Sequence, residues 1–136
     1  MKTIIIIKLF LLFAVSSYVF AVDFVNLSNC QHKIKNAYKY RYCDISIDGK
    51  PAGLVVIKEG KDFYGPFGVV GGYFNFKGGL IANNVDKKQA FLLYRPQGYG
   101  TVVFTECGSK HINSRYIEDI ILTGLKCAEI LQNRRK

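Results

Sequence analysis

The sequence predicts an α+β fold: a small antiparallel sheet of four or five strands, a C-terminal helix, and disulfide staples. Four observations predict it. Across residues 38–104, short alternating or apolar runs are separated by Gly, Pro and Asn clusters, the texture of strands and tight turns. No helical crossover of the length that parallel strands require separates neighbouring runs, so the pairing is expected to be antiparallel. Near the C-terminus the period changes, and Tyr116, Ile117, Ile120, Ile121, Gly124, Ala128 and Leu131 fall on one helical stripe. Finally, the chain carries an even number of cysteines, 4 in all.

The first element is not part of the fold. Met1-Lys2-Thr3 is a short positive start, residues 4–15 are apolar except for Lys8, and Val19-Phe20-Ala21 is an acceptable small-residue cleavage site. Residues 1–21 therefore read as a secretory signal peptide. Lys8 and the shortness of the uninterrupted apolar block argue against an uncleaved anchor, and no other segment is apolar enough to span a bilayer. Cleavage after Ala21 leaves one exported domain, residues 22–136, and the loss of Lys2 and Lys8 takes the formal charge from +9 to +7. At 49% hydrophobic and 21% charged residues the chain is too apolar for a disordered protein. Neither a collagen repeat, nor sustained heptads, nor a solenoid period is present.

Tyr38, Tyr40 and Tyr42, followed by Ile45 and Ile47, alternate with polar residues as a half-buried strand does. Asp48-Gly49-Lys50-Pro51 ends it, because Gly accepts positive φ and Pro cannot donate to a continuing ladder. Leu54-Val55-Val56-Ile57 fits a buried strand or one turn of a core helix. The glycines of residues 65–72 have the look of a phosphate loop, but no Gly-Lys-Ser/Thr and no helical pattern follow, so tight connections flanking an aromatic strand (Tyr73-Phe74-Asn75-Phe76) are expected. Leu80-Ile81-Ala82 precedes an Asn83-Asn84 turn. Phe91-Leu92-Leu93-Tyr94 and Thr101-Val102-Val103-Phe104-Thr105 form a hairpin across a Gly- and Pro-rich connection. The final helix is expected to start from a cap at Asn113 or Ser114, with Glu118 and Asp119 early and Arg134-Arg135-Lys136 late, as its dipole favours. Thr123-Gly124 and the β-branched residues of 117–121 would also suit a last strand.

Cys30, Cys43, Cys107 and Cys127 all lie in the exported part, which argues for two disulfides. No metal site is expected, since none of the four belongs to a close pair of the kind that presents two thiolates to one zinc ion. Three connectivities are open; the expectation taken is a long-range clamp, Cys43 to Cys127, with Cys30 to Cys107. Catalytic residues are expected to be none. A small secreted ribonuclease needs a base, an acid and a phosphate-binding cation, and His32, Glu59, Glu106, Arg95, Arg115 and His111 supply the residue types but no recognisable motif. No serine lies in a nucleophile elbow. No cofactor is implied. More informative is the basic charge interleaved with aromatics. Lys33, Lys35, Lys39, Tyr40, Arg41 and Tyr42, with Arg95, are candidate contacts for an anion or for RNA, where cations neutralise phosphate and rings stack on unpaired bases. Anionic membranes suit the same composition. Asn26-Leu27-Ser28 is a glycosylation acceptor in a eukaryotic secretory pathway.

Tyr40-Arg41-Tyr42-Cys43 is one position off an aromatic-x-Cys motif, and with a cysteine near the C-terminus it resembles the small secreted effectors of powdery mildew fungi. Thr101-Val102-Val103-Phe104 and Ile120-Ile121-Leu122-Thr123-Gly124 look like the last two strands of the ribonuclease-like fold many such effectors adopt, with Cys127 as the terminal half-cystine. The chain departs from the pattern where Asp48-Gly49-Lys50-Pro51 breaks the stretch that would hold an N-terminal helix, and where no His follows the second segment. The resemblance implies a non-catalytic secreted effector acting on a host protein or RNA. A small secreted ribonuclease and a basic antimicrobial or toxin-like protein are the alternatives.

Overall fold

The computed structural model describes residues 22–135; residues 1–21, expected to be a signal peptide, lie outside the described residues. Eight strands run in chain order, β1 (Val25–Lys35), β2 (Tyr38–Ile47), β3 (Lys50–Asp62), β4 (Gly65–Phe76), β5 (Gly79–Asn83), β6 (Leu92–Gln97), β7 (Gly100–Thr105) and β8 (Gly108–Ile112), followed by α1 (Ile117–Arg134). All pair antiparallel in one sheet ordered β1-β2-β3-β4-β6-β7-β8. The long strand β4 serves two partners on one edge: Gly68, Val69 and Val70 pair with β6, and residues 72–76 pair with β5.

The expected fold class is thereby corrected. The sheet has eight strands rather than four or five, and strand dominates the fold. The physical reasons differ by strand. β1 is polar and exposed along most of its length, and the turn that folds it back, Asn36-Ala37, has positive φ at both centres (53° and 68°), a conformation alanine rarely signals. β8 is also exposed except at Ile112. The Leu54-Val55-Val56-Ile57 run proves to be the middle of β3, whose Val55 and Ile57 are buried.

Residues paired across strands share a face, and successive residues alternate. One face, here the inner, carries Cys43, Ile45, Val55, Ile57, Val70, Phe74, Phe76, Leu92 and Val103, all essentially buried. Helix α1 lies on it, touching β1, β6 and β7 and contributing Ile117, Ile120, Ile121 and Leu125 to the same core. The segment Ile120-Ile121-Leu122-Thr123-Gly124, which the family resemblance would make a strand, is therefore helical and central to the core. Its glycine has a packing role. A Cβ at Gly124 would lie 2.6 Å from Leu92 Cδ2 and 2.7 Å from Phe91 Cε2, so glycine lets the helix approach β6. The helix N-cap is Tyr116, in extended conformation with no side-chain bond, while the Ser114 hydroxyl accepts from Tyr116 N–H at 3.1 Å; neither Asn113 nor Ser114 is the cap itself.

Two disulfides form, but not in the expected pairing. Cys30 bonds Cys43, and Cys107 bonds Cys127. β1 and β2 are neighbours, and the irregularity between Ser28 and Gln31, with Asn29 at φ 52°, sets Cys30 beside Cys43 at a Cα separation of 4.1 Å. Cys107, in the β7–β8 turn, reaches the helix at Cys127 with a Cα separation of 5.8 Å. Each bridge joins elements close in sequence, one within the first hairpin and one between the last hairpin and α1.

Candidate cation–aromatic face

The outer face, opposite the helix, is built by the same alternation. Tyr38, Tyr40 and Tyr42 of β2 face outward because Cys43 and Ile45 face in, and the register places Lys35 beside Tyr38, Lys33 beside Tyr40 and Lys58 across from Tyr40. Phe67 and Val69 of β4 lie on this face too, opposite Gly60 and Lys58. Gly60 leaves room for the Tyr38 ring: a Cβ there would lie 2.4 Å from Tyr38 Cδ1.

The rings form a row with cations laid over it. Tyr40 and Tyr42 are stacked, with centroids 6.3 Å apart and planes at 17°. Tyr38 meets Phe67 edge-on at 6.3 Å. Lys33 Nζ lies 5.5 Å from the Tyr42 centroid, Lys58 Nζ 4.2 Å from that of Tyr38, and Lys87 Nζ 4.5 Å from that of Phe67. Each ammonium group is attracted by the ring quadrupole while its methylene stem covers apolar surface. At the turn end of β2 and β3 a groove of about 600 Å³ has walls that include Tyr38 with Lys39, Glu59 and Lys61.

Four of the seven predicted contacts therefore come together: Lys33, Lys35, Tyr40 and Tyr42 share this face. Arg95 lies on the same face but is engaged, donating to Asp62 Oδ2 at 2.9 Å and to the carbonyls of Gly65 and Pro66 at 3.1 Å each. With Lys87 at 2.9 Å on the same carboxylate, these bonds hold the Asp62 pKa far below the usual carboxylate range. Lys39 and Arg41 point to the inner face instead, as period two requires for residues between three outward tyrosines. There Arg41 pairs with Glu59 at 3.2 Å beside the buried Tyr94, whose phenol is pushed well above its ordinary value by burial and then by the Glu59 charge. Sequence reasoning missed Lys58, Phe67 and Lys87. Only the cross-strand register brings them to the tyrosines, although the alternation of Val56, Lys58 and Gly60 already put Lys58 opposite to the buried positions.

The residues considered for acid–base chemistry are not assembled. His32 is on β1 at one edge of the sheet, paired with Arg41 on the inner face. His111 is on β8 at the other edge, on the outer face, with Nε2 3.3 Å from the Gln97 carbonyl. Glu59 is occupied by Arg41, Glu106 sits exposed in the β7–β8 turn, and Arg115 donates to the Gly98 carbonyl. Among the described residues no group of His, Cys, Asp and Glu is arranged to hold a metal ion. Asn26 is exposed on β1, opposite Ser46. No protein-family model, curated protein or solved structure matches the chain.

Proposed function

We propose that the protein is an exported, non-catalytic binding protein that holds single-stranded RNA on the outer face of β1–β4. The observation that carries the reading is the stacked Tyr40–Tyr42 pair, continued by Tyr38 and Phe67, with Lys33, Lys58 and Lys87 over the rings. Exposed aromatic rings accept unpaired bases, each worth about 1–3 kcal/mol, and lysines displaced from the rings by the bases have phosphates to turn to. Export is supported by the apolar start of the sequence and by two disulfides of a kind that persist in oxidising compartments; among the described residues no helix is long and apolar enough to cross a membrane. An effector role on a host target follows only from the motif around Cys43.

The test is fluorescence anisotropy of oxidised protein, residues 22–136, with a labelled unstructured RNA oligonucleotide across a salt series. Tight, salt-sensitive binding is expected, weakened about tenfold or more by Tyr40→Ala with Tyr42→Ala. Binding that ignores both tyrosines would overturn the reading. So would RNA cleavage that His32→Ala or His111→Ala abolishes, since the non-catalytic reading expects the RNA to be recovered intact.

A further inference from the structure

A second surface stands apart from that face, at one end of the sheet. The register puts three turns there together: Asn36-Ala37, Phe63-Tyr64 and Gly98-Tyr99. Lys39 pairs with Glu59, Gly60 with Phe67, Asp62 with Gly65, and Gln97 with Gly100, while Arg95 reaches from β6 to the Gly65 carbonyl. β8 ends at the same level, opposite Thr101, so the chain entering α1 lies there as well. At this end Phe63 is 95% exposed, Tyr64 79%, Tyr99 100%, Tyr116 74% and Ile34 78%.

Turn chemistry does not ask for these side chains. Gly65 and Gly98 supply the positive φ, at 104° and 61°, and the Asp62 carboxylate accepts from Tyr64 N–H at 2.9 Å. Polar residues at positions 63, 64 and 99 would fold as well. One exposed aromatic is ordinary; a cluster of them at the tips of neighbouring hairpins marks an interaction surface. The turns are nevertheless held in place. Arg115 donates to the Gly98 carbonyl, the Arg95 guanidinium lies 5.8 Å from the Tyr64 centroid, and Phe63 and Tyr64 pack edge-on at 5.3 Å.

The surroundings are basic. Lys35 and Lys61 flank the turns without an ion pair among the described residues, Arg115 sits at the base of the third turn, and Asp62 is already neutralised by Arg95 and Lys87. The acids of this end, Glu118 and Asp119, are set back in the first turn of α1, where Asp119 takes the Ser114 hydroxyl. Tips of Phe and Tyr ringed by Lys and Arg match a bilayer interface, whose headgroup layer favours amphipathic rings and whose anionic phosphates favour cations. They suit nucleic acid less well, since the Phe63-Tyr64 and Gly98-Tyr99 tips stand on separate hairpins about 10 Å apart and offer no continuous platform.

We infer that this end of the sheet docks on an anionic phospholipid bilayer, with Phe63, Tyr64 and Tyr99 entering the headgroup region and Lys61 and Arg115 contacting lipid phosphates. The docking is independent of the RNA face. Because the chain has no Trp, Tyr99→Trp introduces a single fluorescent reporter. With residues 22–136, its emission is expected to shift to the blue on adding phosphatidylcholine vesicles containing a third phosphatidylserine, and to be quenched when the lipid is brominated. Pure phosphatidylcholine should leave it nearly unchanged. Co-sedimentation of the unlabelled protein with the anionic vesicles should fall about tenfold or more in a Phe63→Ser, Tyr64→Ser, Tyr99→Ser variant, whose RNA affinity stays at the wild-type value. No blue shift with anionic vesicles at low salt overturns the inference, as does equal binding to pure phosphatidylcholine. Vesicle binding that survives the triple substitution also overturns it and places the lipid on the cation–aromatic face.

Discussion

The two faces of the sheet are made from the same strands and differ in what covers them. On the inner face, aliphatic residues and phenylalanines meet α1, and the covering element is itself apolar. On the outer face, no helix or second sheet among the described residues lies over the rings; cover is supplied by lysine side chains from β1, β3 and the loop before β6. Both arrangements remove aromatic surface from water. Only the second is reversible one residue at a time, since an ammonium group over a ring can be exchanged for a base without opening the core. Period-two alternation thus divides labour: inner positions carry stability, and the outer tyrosines remain available for binding, while Phe67 and Val69 beneath them are buried.

The largest expected effect breaks that division on the stability side. Phe74, 1% exposed and edge-on to Phe91 at 5.7 Å, sits in the middle of the inner face. Phe74→Ala should cost about 3–5 kcal/mol in urea unfolding, by lost burial and by the cavity left behind. Tyr42→Ala, on the other face and 38% exposed, should cost under about 1 kcal/mol while weakening RNA binding. Comparable losses at both positions would mean that the outer rings are core rather than platform.

Next in size is the staple between the last hairpin and the helix. Replacing Cys107 and Cys127 by Ser should lower stability by about 3 kcal/mol, mainly through the freed unfolded chain. Gly124→Ala is a finer probe of the same contact, because its two contributions oppose. Helix propensity alone predicts a gain of about 1 kcal/mol. The added methyl, however, meets Leu92 Cδ2 at 2.6 Å and the Phe91 ring at 2.7 Å, and overpacking costs about 1–3 kcal/mol. A net loss is expected in thermal unfolding, and a gain would show that the helix rides higher on β6 than the packing of Leu92 implies.

What the sequence disclosed follows the same division. The inner face was legible wherever apolar residues alternated or ran together, as in Ile45 and Ile47, in residues 54–57 and on the helical stripe from Ile117. β1 and β8 were not, since neither contributes more than a few apolar residues and a strand with two polar sides has no period to read. Disulfide pairing was hidden for a related reason: Cys30 meets Cys43 through an Asn29 irregularity that no hydrophobic pattern encodes. Of the candidate face, the tyrosines and Lys33 and Lys35 could be found by composition, because they are neighbours in sequence. Lys58, Phe67 and Lys87 join them only through pairing between strands. Lys39 and Arg41 do not join that face, since residues flanking an outward tyrosine in a strand point the other way.

The smallest effect concerns Asp62, the acid that occupies two outer-face cations. Its pKa is lowered first by the hydrogen bond from Arg95 and then by that from Lys87, whereas in the unfolded chain it returns to the ordinary value of about 3.9. A carboxylate depressed on folding contributes stability that is fully present above the unfolded value and is lost as pH falls toward the folded one. Wild type should therefore exceed Asp62→Asn in stability by a constant margin at pH 5–7, and the margin should shrink steadily below about pH 4. The pair of curves, measured by urea unfolding at each pH, isolates this residue from the other carboxylates. The same variant sharpens the comparison of faces. Releasing Lys87 and Arg95 from Asp62 adds free positive charge beside Phe67, so RNA affinity should rise and its dependence on salt should steepen even as stability falls. An outer face whose affinity stayed flat while stability dropped would show that Arg95 and Lys87 serve the fold alone, leaving Lys33, Lys35 and Lys58 as the cations that bind.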